Sequence, residues 1–211
     1  NLKEAIKFYE KSIQLNKNYY YSYYNLGNIY REVRDYEKSK YNYYQALELN
    51  KNFTLCYTNL LLATSYSENN ENYLKIAKNF SKSLPVYKNK KIQFNLANEK
   101  EFKIGFVSPD FRNHPVGFFT KDLFSHLKKK NIKIYCYYNN SLNDDITKSI
   151  RADCEKFFNI EKINDLEVIN QIRNDQLDIL IDLAGITEGN RLTVFKNKCA
   201  PLQATWCGWV A

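Results

Sequence analysis

Two hydrophobic rhythms divide this chain. In the first third, apolar and aromatic positions recur at helical spacing, and whole segments recur thirty-four residues apart. Tyr9 falls on Tyr43, Leu15 on Leu49 and Tyr19 on Phe53, while Asn16-Lys17-Asn18 falls on Asn50-Lys51-Asn52. The same offset carries Tyr23-Tyr24-Asn25-Leu26 onto Tyr57-Thr58-Asn59-Leu60. From Phe102 onward the rhythm changes to short apolar runs alternating with amphipathic segments. Ile104, Phe106 and Val107 mark a strand. Val116, Phe119, Leu123 and Leu127 follow at helical spacing, with Phe118 and Phe124 widening the apolar face. The pattern then predicts a strand at 132–138, helices at 144–157 and 166–174, and a central strand at 177–183. A further strand is expected within 201–209. Strands alternating with helices imply a parallel sheet with right-handed crossovers, a Rossmann-like lobe. The fold class is thus α followed by α/β.

A period of thirty-four residues is that of the tetratricopeptide repeat, a helix–turn–helix unit. One unit is complete, from about Tyr20 to Phe53. Gly27 in its first helix would let the second helix approach closely, and Ser39 stands where the repeat usually has Ala. Residues before it (Ala5, Tyr9, Ser12) read as the tail of another unit. After it comes a degraded one, with Leu61 replacing the Gly and Thr64 the second Tyr. About three stacked units are needed for stability, so the array is expected to be the last part of a longer solenoid. Tyr20, Tyr21, Tyr24, Tyr41 and Tyr44 exceed what the repeat requires. They read either as packing and ridge aromatics or as a concave peptide-binding surface. Ser67-Glu68-Asn69-Asn70-Glu71-Asn72, a helix at 73–84 and Pro85 then mark a boundary. The expected organisation is repeats at 1–65, a helical linker at 66–100 and an α/β lobe at 101–211.

Composition narrows the function classes. A hydrophobic share of 44% is that of a globular chain. No apolar run is long enough for a spanning helix, so no membrane partner is expected. The net charge of +8 comes mostly from Lys spread along the chain, not from clustered Arg, so nucleic acid is not the expected partner. Lys128-Lys129-Lys130 instead closes a helix, where cations favour the dipole. Cys56, Cys136, Cys154, Cys199 and Cys207 show no CxxC spacing and read as reduced thiols of a cytoplasmic protein, mostly core fillers. The first residues lie inside a helical pattern without the shape of a signal peptide, and the chain has no Met. A fragment is expected at that end.

The candidate chemistry sits in loops. Ligands of such sheets bind at the carboxyl ends of the strands. Two loops are expected there, at 108–115 and 182–191. Neither is a dinucleotide-binding or P-loop glycine pattern, and zinc-ligand and Ser-His-Asp spacings are missing as well, so no metal site is assigned. His114 in the first loop is the candidate catalytic group, because an imidazole can accept a proton near neutral pH or hydrogen-bond an anion. Asp110 is expected to fix that loop by bonding local backbone amides. His126, at the end of a helix, reads as a capping or surface residue.

These motifs occur in a telling order: the repeat array, Asn59-Leu60-Leu61-Leu62, then Ile104-Gly-Phe-Val-Ser-Pro-Asp-Phe-x-x-His-Pro115. Asp182-Leu-Ala-Gly-x-Thr187 and Ala200-Pro-x-Gln-Ala-x-Trp-x-Gly208 complete the series. Together they resemble the O-linked N-acetylglucosamine transferase family over nearly the whole chain, with wording closest to its SPINDLY and bacterial branch. The resemblance implies two Rossmann-like lobes with the active site between them. It also implies inverting transfer of a sugar from a nucleotide donor, UDP-N-acetylglucosamine or a relative, to Ser or Thr of proteins presented by the repeats. No metal or other cofactor is implied. His114 matches the histidine that the family has in its catalytic cleft. Asp110, Pro115, Gly185, Thr187 and Gly208 match motif positions that would line the substrate or donor cleft. Two departures stand out: Ile186 replaces the usual His or Tyr, and Cys207-Gly-Trp-Val210 replaces Leu-Gly-Tyr-Pro. The chain stops at Ala211, about where the family continues through the rest of the first lobe and into the second, donor-binding lobe, so residues 101–211 are expected to form a partial N-terminal lobe. These residues alone are therefore expected to be inactive. The competing reading is a tetratricopeptide adaptor that binds peptide without catalysis.

Overall fold

A computed structural model of the chain describes residues 1–67, 72–87, 101–130 and 132–208. They fall into two units, 1–84 and 85–210. The first is helical: α1 (Leu2–Leu15), α2 (Tyr20–Glu32), α3 (Tyr36–Leu49), α4 (Thr54–Tyr66) and α5 (Tyr73–Ser83).

The repeated Asn-Lys-Asn triplet has a local cause. Asn16 and Asn50 end α1 and α3 in extended conformation. Their side-chain oxygens accept the N–H of Asn18 and Asn52 at 3.0 and 3.1 Å, which closes the same turn twice. The close helix approach foreseen at Gly27 is present: a Cβ there would lie 2.6 Å from the Tyr43 ring. Ser39 replaces the usual Ala without an unpaired hydroxyl, since its Oγ donates to the Gly27 carbonyl at 2.9 Å. Tyr43 donates its hydroxyl to Asn28 at 2.7 Å.

Tyr20, Tyr21 and Tyr24 surround Phe53 with ring centroids 4.8–5.2 Å away, so all three pack on it, Tyr21 with one face still exposed. Tyr41 and Tyr44 keep exposed faces. The helix foreseen within a 66–100 linker packs instead with the repeats, Phe80 of α5 stacking on Tyr57 of α4 at 5.8 Å. The first unit therefore runs to Leu84, not to residue 65. Most of the remaining linker, 88–100, lies outside the described residues.

The second unit alternates β1 (Lys103–Ser108), α6 (Pro115–Lys129), β2 (Lys133–Tyr138), α7 (Asp145–Asp153), β3 (Lys156–Asn159), α8 (Asp165–Asp175), β4 (Ile179–Asp182), α9 (Leu192–Lys196) and β5 (Leu202–Thr205). The five strands form one parallel sheet in the order β3-β2-β1-β4-β5. Residue alternation along the strands separates two cores. Val107, Tyr135, Tyr137 and Leu180 pack on one face with Val168, Ile169 and Ile172 of α8. Phe106, Ile134, Cys136 and Tyr138 pack on the other with Phe124 of α6 and Ile150 of α7.

Two expectations need correction. The helix foreseen over 144–157 stops at Asp153, and Lys156–Asn159 is a strand. Phe157 and Phe158 point to opposite faces: one packs near Phe111 and Tyr138, the other stacks on Tyr137. Adjacent aromatics that both need burial suit a two-residue period better than a helical one. In α6, Phe119 is 63% exposed and Phe118 50%, so neither is core. The buried stripe is Val116, Gly117, Thr120 and Phe124, because Gly117 is the position that fits beneath the preceding loop.

Replacing Gly27 by Ala is expected to destabilise the helical unit by about 1–3 kcal/mol, since the Tyr43 ring must be displaced. Chemical denaturation followed by circular dichroism checks this; an unchanged midpoint contradicts it.

Candidate active site

In a parallel sheet of this order, the crevice opens where the order reverses, here between β1 and β4. The two strands pair in register, with Val107 opposite Asp182. The loops carrying all the candidate site residues up to Thr187 therefore leave neighbouring strands at the same edge.

The first loop is anchored before it reaches His114. Phe111 is wholly buried, its ring 5.9 Å from Tyr138 and 6.1 Å from Phe124. Asp110 does not bond backbone amides as expected. Its Oδ1 receives the Arg112 guanidinium at 2.9 Å, while the buried Ser108 hydroxyl accepts the Asp110 N–H at 2.9 Å. The Asn113 N–H is received by Asp144 at 2.6 Å, the residue that also caps α7 through the Thr147 N–H. These amides hold the Asp144 carboxyl below its usual range. Gly117 passes under the loop, where a Cβ would lie 2.0 Å from the Arg112 carbonyl oxygen.

His114 is the N-cap of α6, and Pro115 occupies the first turn, where its missing N–H costs nothing. The ring Nδ1 accepts the Val116 N–H at 3.3 Å and lies 3.7 Å from Asp110 Oδ2. The side chain is 36% exposed, so the imidazole is anchored by one nitrogen and open on its other side. An Nδ1 that accepts the cap bond leaves the neutral ring's proton on Nε2. A small rotation that turns Nδ1–H toward Asp110 frees Nε2 as an acceptor. The loop thus supplies partners for both tautomers.

The second loop is built around Asp182, 1% exposed at the end of β4. Its carboxylate accepts the N–H groups of Ala184 and Gly185 at 3.1 and 2.9 Å. Gly185 takes φ of 60°, and Thr187 closes the turn by donating its hydroxyl to Ala184 at 2.7 Å. Gly208, beyond β5, presses on this turn; a Cβ there would lie 2.4 Å from the Gly185 nitrogen. Burial pushes the Asp182 carboxyl up from 3.8 to about 6, against the pull of the two amides and the Thr205 hydroxyl.

The structure therefore gathers Asp110, His114 and Pro115 at the end of β1, and Gly185, Thr187 and Gly208 at the ends of β4 and β5. Among the described residues no hydrogen bond joins His114 to the second group. Nor do they contain a group of three or more His, Cys, Asp or Glu placed to hold a metal ion. His126 is exposed, as expected for a surface residue.

A clamp on these loops escaped the sequence reading. Arg191, its side chain 14% exposed, donates Nε and Nη2 to Asn139 at 3.1 and 2.9 Å, and Nη1 to Asp165 at 2.8 Å. It also donates to the Ile160 carbonyl at 2.6 Å. Asn139 in turn donates to the Gly189 carbonyl at 2.8 Å. One guanidinium thus ties the loops after β2, β3 and β4 together. The available signal was Asn139-Asn140, two polar residues directly after an apolar strand.

Two sequence profiles match this chain: "Glycosyl transferase family 41" over residues 74–211, and "Tetratricopeptide repeat" over residues 8–41. The chain belongs to glycosyl transferase family 41.

Among similar proteins is a probable UDP-N-acetylglucosamine–peptide N-acetylglucosaminyltransferase SEC of Arabidopsis thaliana. It is 30% identical over 111 residues, covering 52% of this chain and 11% of that protein. A SPINDLY protein of Solanum lycopersicum is 32% identical over 115 residues, covering 53% of this chain and 12% of that protein. A mutant of Thermobaculum terrenum O-GlcNAc transferase superposes on 100% of this chain and 41% of its own, with TM-score 0.84 and 25% identity. The chain thus spans about a tenth of the length of these curated relatives.

The Asp182 environment gives a test. A carboxyl that binds its proton more tightly when folded contributes most stability below its unfolded pKa. It loses that contribution as pH rises through the folded value. Relative to Asp182→Asn, the wild-type domain is expected to lose up to about 3 kcal/mol between about pH 4 and pH 7. Denaturant titrations of both proteins across that range check it; a pH-independent difference contradicts it.

Proposed function

We propose that this family 41 chain forms the repeat end and part of the first Rossmann-like lobe of a protein O-glycosyltransferase. The enzyme would transfer N-acetylglucosamine or a related sugar from a nucleotide donor to Ser or Thr of a polypeptide acceptor. Support comes from the activities for which the relatives are named and from the repeats, which suit protein partners. One observation carries the reading: a partly exposed imidazole, anchored through one nitrogen, at the end of β1 beside β4. That is where a parallel sheet of this order offers its ligand crevice.

In the proposed reaction the acceptor hydroxyl oxygen attacks the anomeric carbon from the face opposite the diphosphate, so the configuration inverts. The bond to the diphosphate breaks and its electron pair leaves with that group. The hydroxyl proton passes to Nε2 of His114, with Nδ1–H turned onto Asp110. His114 is the catalytic residue in this scheme and Asp110 its positioning partner. Pro115, Gly185, Thr187 and Gly208 shape the crevice, and Ile186, half-buried there, contributes an apolar wall. No metal or other cofactor takes part. Negative charge developing on the diphosphate needs cations. Among the described residues Arg112 and Arg191 stand at this edge, and both are held by carboxylates, Asp110 and Asp165. The 211 residues by themselves are therefore inactive in this proposal.

We place the protein in the cytoplasm. All five cysteines are free thiols, and no helix of the described residues is long and apolar enough to cross a membrane.

The test uses the complete protein with UDP-N-acetylglucosamine and, in parallel, GDP-fucose, together with a Ser/Thr peptide. His114→Ala is expected to lower kcat at least 100-fold, in the range of lost acid–base catalysis. Asp110→Asn, which keeps the shape of the loop but removes the carboxylate facing Nδ1, is expected to lower it less. Full activity of His114→Ala overturns the assignment. Turnover by residues 1–211 alone overturns the expected inactivity.

A further inference from the structure

On the sheet face opposite α8, two thiols meet that the reaction above does not use. Cys136 lies in β2 and Cys154 is the C-cap of α7, and their sulfurs are 3.1 Å apart. The Cys154 thiol also donates to the Ile150 carbonyl at 3.1 Å, much as Cys56 and Cys199 donate to the carbonyls of Tyr43 and Val194. Cys136 is wholly buried, and burial together with the neighbouring thiol raises its pKa well above the usual value.

Cys154 differs in access. It lines a surface pocket of about 130 Å³ with Lys128, Ile132, Lys133, Asp153 and Glu155. Lys128 is paired with Asp153 at 3.2 Å and Lys133 with Glu155 at 2.9 Å. The pocket is therefore small and close to electrically balanced, which suits a small neutral oxidant better than a bulky charged disulfide. Disulfide bonding needs the sulfurs about 1 Å closer than they stand. Closing that gap needs the Cys154 side chain to turn from the Ile150 carbonyl toward Cys136, at a residue that sits past the helix end in extended conformation.

We propose that Cys136 and Cys154 form a redox modification site that hydrogen peroxide converts to an intramolecular disulfide. Cys154 reacts first. Its sulfur attacks one peroxide oxygen, the O–O bond breaks, and the departing hydroxide takes the thiol proton and leaves as water. Cys154 is then a sulfenic acid. The Cys136 sulfur displaces the hydroxyl from the Cys154 sulfur: the S–S bond forms, the S–O bond breaks, and the Cys136 proton leaves with the hydroxyl as a second water. Two thiols are oxidised and one peroxide is reduced to two waters.

The site's position gives the bond a route to the crevice. The disulfide would fasten the C-terminal end of α7 to β2. The N-cap of the same helix, Asp144, holds the Asn113 N–H next to His114.

The experiment treats the folded chain with hydrogen peroxide, blocks residual thiols, and maps the digest by mass spectrometry without reduction. A linked Cys136–Cys154 peptide lighter by two hydrogens, restored by dithiothreitol, is expected. Dimedone should label Cys154 in Cys136→Ser, whereas Cys154→Ser should yield neither an adduct at Cys136 nor a linked peptide. Wild-type mapping needs no variant to fold. Oxidation confined to the exposed Cys207, or both peptides recovered as free thiols, overturns the proposal.

Discussion

The candidate site depends on one pairing, that of β1 with β4. β1 lies between β2 and β4, with Ser108 opposite Tyr138 and Val107 opposite Asp182. Because the three strands end level, three loops emerge side by side and can bond one another. A register slip of one residue would send Phe106 and Val107 to the wrong faces and separate the loops. The two cores, each fed by alternate residues of these strands, make that slip costly.

Loops at such an edge carry polar backbone groups that must be satisfied or remain in water. Here short polar side chains do much of the work: Ser108, Asp144, Asp182, Thr187 and Asn139 each engage a loop amide or carbonyl. Arg191 then joins loops that no backbone ladder reaches. The resulting frame holds His114 through Nδ1 and leaves its side chain partly exposed. Its cap bond and the nearby Asp110 carboxylate favour opposite tautomers. Anchoring the ring and activating it are thus competing demands on one nitrogen.

The repeat unit solves a different problem. Its helices have little polar chemistry to display, and its order comes from aromatic packing and recurrent turns. Phe53 is ringed by tyrosines of α2, and Gly27 gives up its side chain so that the Tyr43 ring can fill the space. The Asn16 and Asn50 turns set both hairpins with the same local hydrogen bond.

Much of this was legible in the residues, because it depends on local periodicity. The thirty-four-residue repeat, the five-strand α/β alternation apart from β3, and the loops holding His114 and Asp182 all follow from spacing along the chain. The motif order likewise led to the family. What spacing could not decide was which residues meet across the sheet. Phe157 read as the end of a helix until it and Phe158 were seen on opposite faces of a strand, and Phe119 read as core until Gly117 was found beneath the loop. The Arg191 clamp joins residues 26 and 52 positions apart, and Asp110 chose a guanidinium over the amides beside it. Periodicity tells each segment which side to bury. Only the closed sheet, by setting strand neighbours and register, brings distant polar groups within bonding distance.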